Sequence, residues 1–204
     1  MEWYQWFAIA SLIICAGSLL FHLIRLIKLG SPKDLSSPKG NPRSAMAYAF
    51  SGSMSPAKKE SAFLHLPTYT AGIFYHLGTL LSIFIFLMLL LNFKFEGWIT
   101  WAFSVCLIIS GISGLGILVK RIVKPQMRTL SNVDDYISNL LVTIFHFITV
   151  SAILNSAMLP VYFVLASLLL LYIPVGKLKH TLYFFAARYQ LGFFYGWRGV
   201  WPPK

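Results

Sequence analysis

The sequence predicts an all-α integral membrane bundle of five transmembrane helices, and three observations predict it. Hydrophobic residues make up 57% of the 204 positions while charged residues make up only 11%. Mean hydropathy is +0.71, well above that of a water-soluble globule. The apolar residues are gathered into runs long enough, or nearly so, to cross a hydrocarbon core about 30 Å thick. These runs cover approximately residues 3–27, 69–93, 98–119, 136–157 and 159–175, with residues 28–68 and 176–204 as the long polar segments. Residues 1–204 are expected to form one membrane domain.

The first span opens on "MEWYQWFAIA", without a basic n-region or a small-residue cleavage site, so it reads as a retained span rather than a removed signal. The 28–68 connection begins rich in Pro, Ser and Gly, which favours irregular backbone. Its second half is different: Met46, Tyr48, Phe50, Met54, Phe63, Leu64 and Leu66 are mixed with Lys58, Lys59 and Glu60. That mixture suits a segment lying in the membrane interface or against a cytoplasmic partner. Span two carries His76. Span three carries "SGISGLGI", whose Gly111, Gly114 and Gly116 allow close approach of a helix or a flat macrocycle. Asp134 and Asp135 stand where span four begins and suit a helix cap. Span five is the shortest and is expected to continue as helix through "GKLKH", with Lys177 and Lys179 reaching to the interface.

Sixteen of the seventeen Lys and Arg residues fall in residues 25–68, 120–131 or 176–204, leaving Lys94 alone on the other face. By the positive-inside rule the N-terminus is expected outside and the C-terminus in the cytoplasm. The formal charge of +11 therefore describes topology, because the cations flank apolar spans instead of interleaving with aromatics on a soluble surface. Nucleic acid is not an expected partner. The two cysteines, Cys15 and Cys106, show no CxxC or Cys/His spacing, which argues against a disulfide framework, a zinc site or an iron–sulfur site. Neither a Gly-rich phosphate loop nor a Ser/His/Asp arrangement is present, and no catalytic residue is assigned.

An intramembrane histidine costs free energy unless partnered, so the histidines are the functional candidates. His76 in span two and His180 after span five lie toward the same membrane face, as two axial ligands of one haem iron must. Haem b suits the chain because no CxxCH is present for covalent attachment. Lys177, Lys120 and Arg121 are candidate partners for its propionates. His22 and His146 are a candidate second ligand pair, which would need spans one and four to be adjacent. His65 reads as a solvated interfacial residue.

The segments "IFYHLG", "GILVKRIVKPQMR" and "LLYIPVGKLKH…RYQL" resemble the cytochrome b (gamma) subunit of respiratory nitrate reductase, in order along the chain from about residue 39. The loop "SPKGNPRSAMAYAFSGSMSPAKKESAFLHLPTY" is closer to the membrane cytochromes of heterodisulfide-reductase-like and sulfate-reduction-associated complexes. The resemblance implies His76 and His180 as ligands of the haem nearer the cytoplasm, with Lys177 at a propionate-facing position. It also implies a second haem whose ligands fall where this chain has Phe86 and Tyr162, so that haem is absent here or held through His22 and His146.

On that likeness the chain is expected to be an electron-transfer subunit in a prokaryotic cytoplasmic (inner) membrane. It would link membrane quinol or quinone to a cytoplasmic iron–sulfur subunit docked on the 28–68 loop and the aromatic tail, with terminal catalysis elsewhere. The rivals are a haem-free membrane anchor and a small proton-coupled transporter, the latter weakened by the lack of an internal repeat.

Overall fold

The computed structural model describes residues 1–29, 35–58 and 63–203, so Lys59 and Glu60 of the expected interfacial segment lie outside the described residues. All regular structure among the described residues is helical. Helices α1 (Trp3–Leu29), α3 (Leu66–Leu90), α4 (Trp98–Val123) and α6 (Val133–Leu154) are long and apolar enough to cross a membrane. Helices α2 (Pro42–Phe50), α5 (Pro125–Thr129), α7 (Leu159–Tyr172) and α8 (His180–Trp197) are shorter or more polar. The chain is thus an all-α, multi-pass membrane protein, with four single-helix spans and a fifth if α7 and the segment after it form one broken span.

Local chemistry sets the ends of these helices. Helix α6 starts at Val133 rather than 136 because Asn132 caps it: the Asp135 amide donates to Asn132 Oδ1 at 3.0 Å, and the Asn132 amide donates to Asp135 Oδ2 at 3.0 Å. Helix α3 stops at Leu90, three residues before the expected end, in a turn that places Asn92 at φ 61°. Helix α4 runs on to Val123 and stops where Pro125 forces Lys124 into extended backbone. The expected continuation of span five through "GKLKH" does not occur. Pro174 has no amide to offer and crowds the preceding turn, so α7 closes with the Val175 and Gly176 amides on the Tyr172 carbonyl. A short 3-10 turn, Lys177–Lys179, follows before α8.

The chain divides into two compact units. The first holds residues 1–18 and 67–178. In it α4 packs along α6 and α6 along α7, around a core that includes Ala8, Ile85, Leu107, Phe145, Tyr162 and Phe163. Helix α6 is the most enclosed of the four long helices.

The second unit holds residues 19–66 and 179–204, and its centre is the packing of α2 on α8. Asn41 caps α2 through the Arg43 amide at 3.0 Å, with Pro42 in the first turn. Ala45 and Ala49 are fully buried against buried Gly192 and Gly196 of α8. A Cβ at Gly192 would sit 2.6 Å from Met46 Cα, and one at Gly196 would sit 2.5 Å from Ala45 Cβ. The tail folds back on this pair: the Lys39 amide donates to the Trp197 carbonyl at 2.8 Å, and Trp197 Nε1 to the Ser36 carbonyl at 2.9 Å. Trp201 packs between Tyr48 and Tyr195, at 5.5 and 4.8 Å between ring centroids. The described parts of the 28–66 connection and the aromatic tail, expected on one membrane face, pack on each other as one folded body.

Because the α2–α8 contact is backbone against backbone, Gly192→Leu is expected to cost about 1–3 kcal/mol through overpacking. Faster protease cleavage within residues 51–58 in membrane vesicles, relative to Ala187→Leu on the exposed face of α8, would register it.

Candidate functional site

The most developed polar site lies in the first unit, around His146. Its side chain is fully buried on α6 between α3 and α4. Nε2 lies 3.2 Å from Thr79 Oγ1 and Nδ1 lies 3.2 Å from Ser110 Oγ. The Tyr75 ring meets the imidazole edge to face at 5.2 Å.

Counting protons assigns the tautomer. Thr79 donates its single hydroxyl proton to the Tyr75 carbonyl at 2.8 Å, so its oxygen can only accept from Nε2–H. Ser110 lies farther from that carbonyl, at 3.3 Å, and its proton is better placed on Nδ1 at 3.2 Å. The network thus assigns a neutral imidazole protonated on Nε2, with both nitrogens engaged. Tyr75 extends the network, its hydroxyl donating to the Asn139 carbonyl at 2.9 Å and meeting Thr143 Oγ1 at 3.0 Å.

Glycines make this approach possible. A Cβ at Gly78 would collide with Ser110, and one at Gly114 would collide with the Tyr75 ring. One at Gly111 would come within 2.6 Å of Phe147 Cζ, whereas Gly116 faces open space. Gly111 and Gly114 therefore serve side chains of neighbouring helices.

The other histidines are placed differently. His76 is exposed on α3, its ring tilted against Tyr75 at 6.4 Å, and it belongs to the first unit. His180 is exposed at the first residue of α8 and belongs to the second. His22, also in the second unit, is half-buried, with Nδ1 3.5 Å from the Tyr183 hydroxyl. His65 is exposed in the turn before α3.

The expected propionate cations have protein partners. Lys177 Nζ donates to Asp135 Oδ1, and Arg121 lies 3.6 Å from the same oxygen while donating to Ser131 Oγ at 2.8 Å. Lys120 donates to Thr68 Oγ1. Asp135 is thus both a helix cap and the shared anion of two cations, tying α4, α6 and the turn after α7. Beside it, the Tyr172 hydroxyl contacts Asp134 and lies 3.1 Å from Ser138 Oγ.

Phe86 and Tyr162, at the positions where the resemblance would put the ligands of another haem, are buried in an aromatic cluster. Tyr162 stacks on Phe145 at 5.6 Å and meets Phe163 edge to face at 5.2 Å, while Phe86 lies 6.5 Å from Tyr162. Tyr4 of α1 closes the cluster on Phe163 at 5.5 Å.

Reading histidines singly missed both the hydroxyl network and the Asp135 triad. The available signal was the stripe Asp135, Ser138/Asn139, Thr143, His146 and Thr149, polar positions recurring every three or four residues along an apolar helix.

Asp135→Ala is expected to cost about 2–3 kcal/mol, less than for a fully buried pair because the Lys177 side chain is half exposed. His146→Ala is expected to cost about 2–4 kcal/mol from the cavity and two lost hydrogen bonds, and Tyr75→Phe about 1 kcal/mol. Unfolding in mixed micelles, followed by helical circular dichroism, measures all three.

No family model, curated protein or solved structure matches the chain, so the resemblance stands on its histidine, glycine and basic motifs alone.

Proposed function

We propose that this chain is the haem b subunit of a quinol-linked oxidoreductase complex, with His76 and His180 as axial ligands of one iron. The observation that carries the reading is the contrast between the two histidines of the first unit. His146 is sealed inside the protein, whereas the His76 ring is accessible at the surface of a 25-residue apolar helix. An intramembrane imidazole is by default a candidate for function, and an accessible one can be reached by a flat macrocycle where the sealed His146 cannot.

One haem is proposed, not two. His146 could ligate iron only by giving up Thr79 or Ser110, and the other ligand positions implied by the resemblance hold the Phe86–Tyr162 cluster. Lys120, Arg121 and Lys177 would meet propionates by exchanging Thr68 and Asp135 for them. Bound haem b supplies one-electron transfer, here between membrane quinol or quinone and a cytoplasmic iron–sulfur subunit. This chain's residues hold the iron, bury the apolar faces and exclude water.

The distribution of cations supports an external N-terminus and a cytoplasmic C-terminus, and the resemblance implies a prokaryotic inner membrane. Four crossings would leave either the 28–68 segment or the tail, each rich in Lys and Arg, on the wrong side, so the broken α7 segment is read as the fifth. The haem-free anchor is the rival with an observation behind it, since His146 demonstrates that this chain uses an intramembrane histidine for packing.

A visible spectrum of the purified chain tests the reading directly. A b-type α band is expected, lost equally in His76→Ala and His180→Ala and retained in His146→Gln. A protein without the band leaves the anchor, and two separable haems lost independently would break the pairing. In a separate check, a reporter after residue 204 is expected in the cytoplasm and one at Phe95 outside; the reverse would invert the topology.

A further inference from the structure

The second unit carries an imbalance that the haem reading does not use. Its sequence holds eleven Lys and Arg residues against two acids, Asp34 and Glu60. Surfaces that dock folded proteins mix both signs and keep lysine out of their centres. Here the cations are interleaved with exposed aromatic and aliphatic groups: Phe185 is 61% exposed, Tyr189 56%, and Phe63 62%.

The arrangement on α8 is more specific than composition. With Gly192 and Gly196 turned to α2, the face bearing Phe184, Leu191 and Phe194 stays exposed at helical spacing. Two arginines lie over its phenylalanines, Arg188 5.5 Å above Phe184 and Arg198 3.7 Å above Phe194. Each pair sets a ring suited to the acyl boundary beside a guanidinium that keeps donors for phosphate while bonding within the unit, Arg188 to Ser53 Oγ at 3.3 Å and Arg198 to the Phe194 carbonyl at 3.2 Å. Helix α1 repeats the pattern at its end, where Phe21, Ile24 and Leu29 line a shallow apolar depression together with Arg25 and Lys28. The unit is continuous in sequence with membrane spans at α1 and α3, which keeps it beside headgroups.

We propose that this unit is an interfacial module that selects anionic phospholipid headgroups, with Lys39, Arg43 and Arg188 among the selecting cations and the exposed aromatics in the acyl boundary. A lipid surface fits better than a protein because cations outnumber acids eleven to two in the unit and are scattered over its helices and the turns beside them, with no concentrated centre.

The full-length chain, equilibrated in vesicles of equal phosphatidylglycerol and phosphatidylcholine, would be extracted gently and its retained phospholipid quantified. The wild type is expected to retain phosphatidylglycerol several-fold over phosphatidylcholine, with the ratio falling toward one in 0.5 M salt. Neutralising Lys39, Arg43 and Arg188 to Gln is expected to bring the ratio down toward one. The charge-preserving variant Lys39→Arg, Arg43→Lys, Arg188→Lys is expected to keep it, which separates charge from folding. A wild-type ratio equal to that of the vesicles, a ratio indifferent to salt, or loss of preference in the charge-preserving variant would overturn the proposal and leave protein docking as the use of this surface.

Discussion

A hydrocarbon core offers no water to a polar group, and the first unit is organised by that constraint. Helix α6 carries a stripe of polar groups, of which Thr149 is satisfied within the helix by the Phe145 carbonyl while Asp135, Ser138 and His146 reach partners beyond it. At one end Asp135 takes Arg121 from α4 and Lys177 from beyond α7, and deeper in, His146 takes Thr79 from α3 and Ser110 from α4. Apolar helices in lipid gain little by choosing one another over lipid tails, so these directional bonds specify which faces meet. That the most polar stripe sits on the most enclosed helix follows from the same constraint.

Directional bonds need close backbones, and small residues supply the closeness. Gly78 leaves room for Ser110 and Gly114 for Tyr75, so the hydroxyls around His146 reach hydrogen-bonding distance without displacing α3 or α4. Farther along, large rings fill the space between the helices, Tyr4, Phe86, Phe145, Tyr162 and Phe163, with Tyr162 fully buried among them. One unit therefore contains two packing regimes, small and polar around His146 and large and aromatic around Tyr162. The imidazole belongs to the first regime, which is why its two nitrogens are bonded and its ring is sealed.

The spans were legible because twenty-odd apolar residues have few alternatives to crossing a membrane, and their ends were less so because a single residue decides each. Asn132 and Pro174 were visible, but only the bonds they make or forbid fix the helix ends. His146 looked like a ligand candidate because its depth is readable along the sequence whereas its partners are not: Thr79 and Ser110 lie 67 and 36 residues away. Asp135 was read as a cap, which it is, without the two cations that converge on it. In the second unit the small residues of "SAMAYA" and "GFFYG" held the signal for α2 on α8, and the surrounding aromatics drew attention instead.

The folding of the tail also changes how a cytoplasmic partner must be sought. Had residues 193–204 been a free aromatic extension, removing them would have probed docking and nothing else. Gly196 instead lies against Ala45 and Pro42, the Trp197 carbonyl receives the Lys39 amide, and Trp201 fills the gap between Tyr48 and Tyr195. Deleting the segment would remove Gly196, Trp197 and Trp201 from the α2 packing while leaving Gly192, so loss of a partner would report the loosening of the unit as readily as the loss of a contact. Tyr189, exposed on α8, is a better probe of what the unit touches, whereas Phe185 stacks on Phe50 of α2. A substitution there alters the surface while leaving the Gly192 and Gly196 contacts that fold it.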